Sequence, residues 1–124
     1  MLRRGRVLIV DDDETLARFL KRALRVDYDI ALAPDGRAAL DRIKSGERYD
    51  LILCDLQMPE MTGVDFLMNL DELAAEQVGR IVFVTANPQQ PMARLVSGHV
   101  LIDKVLDCTK IAEIAARHLR DRAA

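Results

Sequence analysis

Hydrophobic positions along this chain fall into short unbroken runs that alternate with longer, spaced series. Val7 to Val10, Leu51 to Cys54 and Ile81 to Val84 are continuous apolar runs rich in branched side chains and flanked by charge. Runs of this length read as strands buried on both faces, as in a parallel sheet. Tyr28 to Ala33 predicts a further short strand, and Val100 to Ile102 a weaker fifth. After the first run, Leu16, Phe19, Leu20, Ala23 and Leu24 recur at the three-and-four spacing that gathers them on one helical face. Pro34, Asp35 and Gly36 form a turn into a second helix carrying Ala38, Ala39, Leu40 and Ile43, which Ser45 and Gly46 close. A loop over Met58 to Gly63 leads to a third helix marked by Val64, Phe66, Leu67, Leu70 and Leu73, and Gly79 separates it from the fourth strand. Ile111, Ile114, Ala115 and Leu119 mark a closing amphipathic helix.

Strand and helix therefore alternate throughout, and right-handed crossovers of this length predict a doubly wound α/β sheet covered by helices on both faces. The expected order is 2-1-3-4-5, which sets strand one beside strand three. The least regular stretch is Asn87 to Gly98, where Pro88 and Pro91 shorten the fourth helix that this topology expects between strands four and five. No internal repeat, linker or low-complexity segment interrupts the pattern, so residues 1–124 are expected to form a single domain.

Composition narrows the function classes. Hydrophobic residues make up 50% of the chain and charged residues 31%, and no apolar stretch approaches the roughly 18 residues of a membrane span. Arg3, Arg4 and Arg6 read as a solvated edge, and the apolar run behind them is too short for a signal peptide, which predicts a cytoplasmic protein. A net charge of −2 argues against a surface that itself grips nucleic acid. Cys54 and Cys108 lack the spacing of a zinc or redox motif and read as reduced structural thiols. His99 and His118 lack partners at ligand spacing, and Met58 and Met61, beside a proline turn, read as packing residues.

The chemistry lies where the apolar runs end. Val10 leads into Asp11, Asp12 and Asp13, and Cys54 leads into Asp55, so the acids sit at strand carboxyl ends, the ligand-binding edge of an open α/β sheet. Carboxylates converging there to about 4 Å repel by roughly 4 kcal/mol per pair at an effective dielectric of 20, and an all-oxygen set of this kind calls for a hard cation such as Mg²⁺. Asp55 is placed as a nucleophile toward a phosphoryl group. Thr85 ends the fourth strand and Lys104 follows the fifth, so a hydroxyl and an ammonium can meet the oxygens of that group. Taken alone, Asp11 and Asp12 are a strand end feeding a helix cap, Thr85 an ordinary hydroxyl and Lys104 a loop cation. Their ordered recurrence at successive strand ends is what points to function. Asp13 reads as the start of the first helix rather than as part of the site.

At these residues the chain resembles the receiver domain of bacterial two-component response regulators over essentially its whole length. Asp55-Leu56-Gln57-Met58-Pro59, continued by Met61, Thr62 and Gly63, carries the resemblance, with Val10-Asp11-Asp12 before it and Val84-Thr85-Ala86 and Lys104 after it. The resemblance implies a flavodoxin-like fold of receiver type and a signalling module rather than an enzyme. In it, Asp55 accepts phosphate from a sensor histidine kinase or phosphotransfer protein. Asp12, Asp55 and the backbone carbonyl of Gln57 would hold Mg²⁺ directly, with Asp11 acting through a coordinated water, and Thr85 and Lys104 would serve the phosphoryl group. Downstream it implies an unspecified target, no direct nucleic-acid or membrane contact, and a possible homodimer.

Three positions depart from the family pattern. Val105 stands where a proline usually follows the lysine, Leu101 replaces the usual aromatic switch residue and has no ring to rotate, and Asn87 to Gly98 is short and proline-interrupted. A non-switching interaction module of the same fold is therefore the alternative reading. A Mg²⁺-dependent phosphatase ranks below it, because such an enzyme needs a general acid and a cap for which 124 residues leave no room. The chain ends soon after the closing helix, so the expectation is a receiver without an output domain, either standing alone or cut from a longer protein.

Overall fold

A computed structural model describes residues 4–104 and 108–123. Five strands, β1 (Gly5–Val10), β2 (Tyr28–Ala33), β3 (Leu51–Asp55), β4 (Ile81–Thr85) and β5 (Leu101–Asp103), form one parallel sheet in the order β2-β1-β3-β4-β5. Among the described residues the helices are α1 (Glu14–Leu24), α2 (Gly36–Lys44), α3 (Gly63–Leu73) and α4 (Cys108–Ala123), with 3₁₀ segments at Ala75–Arg80 and Pro91–Val96. The expected topology and the shortened fourth helix are both present.

Burial on both faces explains the unbroken apolar runs. Leu51 and Leu53 of β3 point into a core layer with Leu16, Ala17, Leu20 and Leu24 of α1 and Ile111, Ala115 and Leu119 of α4. Ile52 and Cys54 point the other way, into a layer with Ala39, Leu40 and Ile43 of α2 and Phe66 and Leu70 of α3. Register aligns the strand ends: Val10 lies opposite Cys54, Asp55 opposite Val84, and Thr85 opposite Asp103. Three helices start on side-chain caps, each worth about 1 kcal/mol. Asp13 accepts from the Leu16 amide at 3.1 Å, as expected for the start of α1, Asp35 accepts from Ala38 at 2.8 Å, and Thr62 and Asp65 form a reciprocal capping box.

Several expectations need correction. Phe19 is 39% exposed and Ala23 is also exposed, although their spacing put them on the packed face of α1. The buried stripe runs through Leu16, Ala17, Leu20 and Leu24, because α4 packs on that side and leaves Phe19 and Ala23 on the rim of a groove with Ala112 and Ala116. Arg6 is not simply solvated: its guanidinium sits 5.1 Å above the Tyr49 ring and bridges Glu47 at 3.2 Å. Arg3 lies outside the described residues. The segment Ala75–Arg80 carries an unforeseen clasp, since buried Gln77 accepts from the Tyr49 amide at 2.7 Å and donates to the Tyr49 carbonyl at 3.1 Å.

The packing roles expected of other residues hold. Met58 is buried, and Met61 lies so close to Gly36 that a Cβ there would come within 2.6 Å of its sulfur. His99 stands edge-on to Phe83 with ring centroids 5.3 Å apart, and its Nδ1 lies 3.1 Å from the Ile81 carbonyl oxygen. Cys54 is fully buried, and burial pushes its thiol well above the ordinary value, which keeps it unreactive. Leu101 is half-buried against the α2/α3 layer, while Val105 lies outside the described residues.

Candidate functional site

The backbone fixes the acids before their side chains act. Asp11 leaves β1 with its amide donating to the Ala33 carbonyl at 3.1 Å, so the end of β1 stays tied to the end of β2. Its buried carboxylate accepts from the Asp13 amide at 2.8 Å. Asp12, the next residue, faces solvent. Asp55 is the last residue of β3, and its carboxylate accepts from the Gln57 amide at 3.1 Å through Oδ1 and from Lys104 Nζ at 2.9 Å through Oδ2. The same ammonium lies 3.0 Å from Asp11 Oδ2. Lys104 is held in place by its own amide, which donates to the Thr85 carbonyl at 2.8 Å.

The turn after β3 depends on close backbone approach. The Leu56 amide donates to Val84 at 2.9 Å, and the Gly63 amide donates back to Leu56 at 2.8 Å. A Cβ on Gly63 would lie 2.8 Å from the Asp55 carbonyl oxygen and 2.9 Å from Leu56 Cα. Both are backbone atoms at a buried strand end, so only glycine starts α3 this close to Asp55.

Carboxylate oxygens of Asp11, Asp12 and Asp55 lie within 4.8 Å of one another. Burial raises the Asp55 carboxyl from the ordinary 3.8 to about 6; the nearby Asp11 charge adds to the rise, while the hydrogen bond and charge of Lys104 oppose it. Burial likewise raises Asp11, against the Asp13 amide and Lys104. Burial alone would lower the Lys104 ammonium, but its hydrogen bond to Asp55 and the charge of Asp11 outweigh that and raise it. Asp11 and Asp55 thus share one cation, and both buried carboxyls resist ionisation. The donor set suits a small divalent cation: it is all oxygen, carries excess negative charge, and opens to solvent at Asp12.

The structure therefore brings together Asp11, Asp12, Asp55 and Lys104, and places Gln57 in the turn immediately after Asp55. Thr85 shares the same sheet edge and is fully buried, but its Oγ1 accepts from Gln90 Nε2 at 2.8 Å and from the Asn87 amide at 3.1 Å. Gln90 is the polar residue that sequence reasoning passed over. Its one local signal was a glutamine beside Pro91 in a stretch read only for its helix-breaking content.

A groove of about 290 Å³ runs beside Asp11, lined by Ala17, Leu32, Ala33 and Pro34 together with Glu14 and Arg18.

Known proteins resemble this chain in sequence and in fold. The chain is 37% identical over 81 residues to the response regulator ArlR of Staphylococcus haemolyticus, an alignment covering 64% of this chain and 35% of that protein. It is 40% identical over 85 residues to the aerobic respiration control sensor protein ArcB of Escherichia coli, covering 65% of this chain and 10% of that protein. It is 36% identical over 69 residues to the 3',5'-cyclic-nucleotide phosphodiesterase regA of Dictyostelium discoideum, covering 54% of this chain and 9% of that protein. The chain thus spans about a third or less of the length of these relatives. Among solved structures, a CheY-like response regulator receiver domain protein from Methanospirillum hungatei superposes with a TM-score of 0.83 at 22% identity, covering 98% of both chains. FixJ-N superposes with a TM-score of 0.76 at 26% identity, covering 96% of both. The family model of the response regulator receiver domain matches residues 7–115, from inside β1 to well into α4, and so encloses every strand end that carries an acid, the hydroxyl and the lysine. This chain belongs to the response regulator receiver domain family.

Proposed function

We propose that the chain is a phosphoaccepting receiver in which Asp55 takes a phosphoryl group from a phosphohistidine of a sensor kinase or phosphotransfer protein. The supporting observation is the meeting of three carboxylates within 4.8 Å of one another with the Lys104 ammonium 2.9 Å from Asp55. Asp55 attacks phosphorus through a carboxylate oxygen, an O–P bond forms as the N–P bond breaks, and the leaving imidazole takes a proton from solvent. Asp12, Asp55 and the Gln57 carbonyl are the residues that would hold Mg²⁺, with Asp11 reaching it through water. That ion supplies positive charge against the phosphoryl oxygens.

The chain's own groups supply alignment and charge. Lys104 neutralises an equatorial oxygen of the incoming group, exchanging part of its ion pair with Asp55 for the phosphoryl oxygen. The Gln57 amide keeps the Asp55 carboxylate oriented at 3.1 Å. Thr85 offers its hydroxyl proton to a second oxygen. Among the described residues no helix is long and apolar enough to cross a membrane, and the proposed setting is the cytoplasm, where the kinase presents its phosphohistidine. On this reading the module catalyses no turnover of small substrates, and its output is a changed surface offered to a partner.

Intact-mass analysis after incubation with acetyl phosphate and Mg²⁺ tests the reading. The expected result is a single phosphoryl adduct on the wild-type chain and none on Asp55→Asn. An unmodified wild type, or an equal adduct on the variant, overturns it.

A further inference from the structure

The hydroxyl of Thr85 is committed in a way that the phosphoacceptor chemistry does not require. A threonine oxygen has two lone pairs and one proton to share. Both lone pairs of Thr85 Oγ1 are engaged, one by the Asn87 amide at 3.1 Å and one by Gln90 Nε2 at 2.8 Å. Any further hydrogen bond must be one in which Thr85 donates. The Gln90 amide has its orientation settled by its second partner. Gln90 Nε2 also lies 3.0 Å from the Asn87 carbonyl oxygen, which can only accept, so the nitrogen end faces inward and spends both its hydrogens.

Gln90 also has a backbone role. Its amide donates to the Asn87 carbonyl at 3.2 Å, and its own carbonyl accepts from the Ala93 amide at 3.0 Å, which opens the Pro91–Val96 segment. A single buried residue therefore holds the hydroxyl with its side chain and the first turn of the 3₁₀ segment with its main chain. That segment is lightly anchored: Val96 reaches the core, Met92 and Ala93 pack against it in part, and Leu95 is 68% exposed. Leu101, half-buried on the neighbouring strand, has neither ring nor hydroxyl with which to sense Thr85.

From this we infer that Gln90 is a positioning residue that presents Thr85 as a hydrogen-bond donor and carries any movement of that hydroxyl into Pro91–Val96. The inference rests on the phosphoacceptor reading above. When a phosphoryl oxygen draws the Thr85 proton toward Asp55, Oγ1 shifts, and Gln90 must follow or lose a buried hydrogen bond. Either response alters the turn whose first hydrogen bond Gln90 supplies.

The test is amide hydrogen exchange with and without beryllofluoride and Mg²⁺, with fluorine NMR of the same samples reporting occupancy at Asp55. Wild type is expected to bind beryllofluoride and to change exchange in Pro91–Val96 by about fivefold or more. Gln90→Leu, which removes both donors, and Gln90→Glu, which keeps the shape but has no donor at neutral pH, are expected to bind beryllofluoride and to change exchange beside Asp55 as wild type does. Their Pro91–Val96 response is expected to vanish, as in Thr85→Ala, and the Thr85→Ala/Gln90→Leu double variant is expected to lose nothing more. A wild-type response retained in either Gln90 variant, or in Thr85→Ala should both Gln90 variants fail to fold, overturns the inference and leaves the phosphoacceptor reading intact. Beryllofluoride binding to wild type without any response in 91–96 does the same. Failure of wild type to bind beryllofluoride overturns both.

Discussion

Replacing Asp55 by asparagine is expected to stabilise the metal-free protein at alkaline pH, although it removes the proposed nucleophile. The cause is the burial of Asp55 at its strand end, with the charge of Asp11 beside it. A carboxyl raised from 3.8 to about 6 by burial prefers its proton in the folded state, so the stability it contributes is fully present below the unfolded value and is lost as pH rises through about 6. At pH 8 that loss corresponds to about 3 kcal/mol. Asparagine avoids the charge but sets its own amide against the Lys104 ammonium, which stands 2.9 Å from Asp55 Oδ2 in the wild type, and so returns part of the gain. A net stabilisation of about 1–2 kcal/mol remains, or roughly 1 M in the urea midpoint. The chain has no tryptophan, so the assay is urea unfolding followed by far-ultraviolet circular dichroism in EDTA at pH 8 and pH 5. The variant should lead at pH 8, and its lead should shrink toward pH 5. Millimolar Mg²⁺ should raise the wild type more than the variant. An Asp55→Asn protein less stable than wild type at pH 8 in EDTA, or a lead unaffected by pH, would refute the idea that the acid cluster is an electrostatic cost relieved by a cation.

Other consequences can be checked alongside it. Mg²⁺ affinity measured by calorimetry should fall as pH drops through about 6, by about fourfold between pH 7.5 and 5.5, because protons compete for Asp55 and also for the raised Asp11. Gly63→Ala should destabilise by about 2–3 kcal/mol in urea titrations, since its Cβ meets backbone atoms at 2.8 Å and 2.9 Å, whereas Gly79→Ala, with nothing within 4 Å, should be close to neutral. Gln77→Ala should cost about 2–3 kcal/mol by the same measurement, because the Tyr49 amide and carbonyl both lose a buried partner. An unchanged midpoint in that variant would show that water replaces the clasp.

Much of the architecture was legible without coordinates because the governing signals are local. A strand buried on both faces must be apolar at every position, so β1, β3 and β4 announce themselves, and alternation with helices leaves few sheet orders to choose among. The order then puts the ends of β1 and β3 side by side, and with them Asp11, Asp12 and Asp55. Asp13 was legible as a cap for the same reason: its partner amide is three residues away. Lys104 follows a strand end, and strand ends converge.

Contacts with no fixed spacing had to wait for the folded chain. Phe19 and Ala23 satisfy helical periodicity as well as Leu20 does, and their exposure depends on where α4 lands against α1. Arg6 over Tyr49 and Gln77 against Tyr49 join residues from separate elements, so no repeat in the chain marks them. Gln90 is the most telling case, because periodicity treats a polar residue next to a proline as loop. Only a folded β4 edge, with Thr85 buried and its lone pairs needing donors, turns that glutamine into a partner of the Thr85 hydroxyl. Hydrophobic patterning was enough to say which side chains reach the edge of the sheet, since strand length and alternation are written in it. Which of them touch, and what holds their protons, came from packing, because burial makes each unmet hydrogen bond costly only after the chain has closed around it.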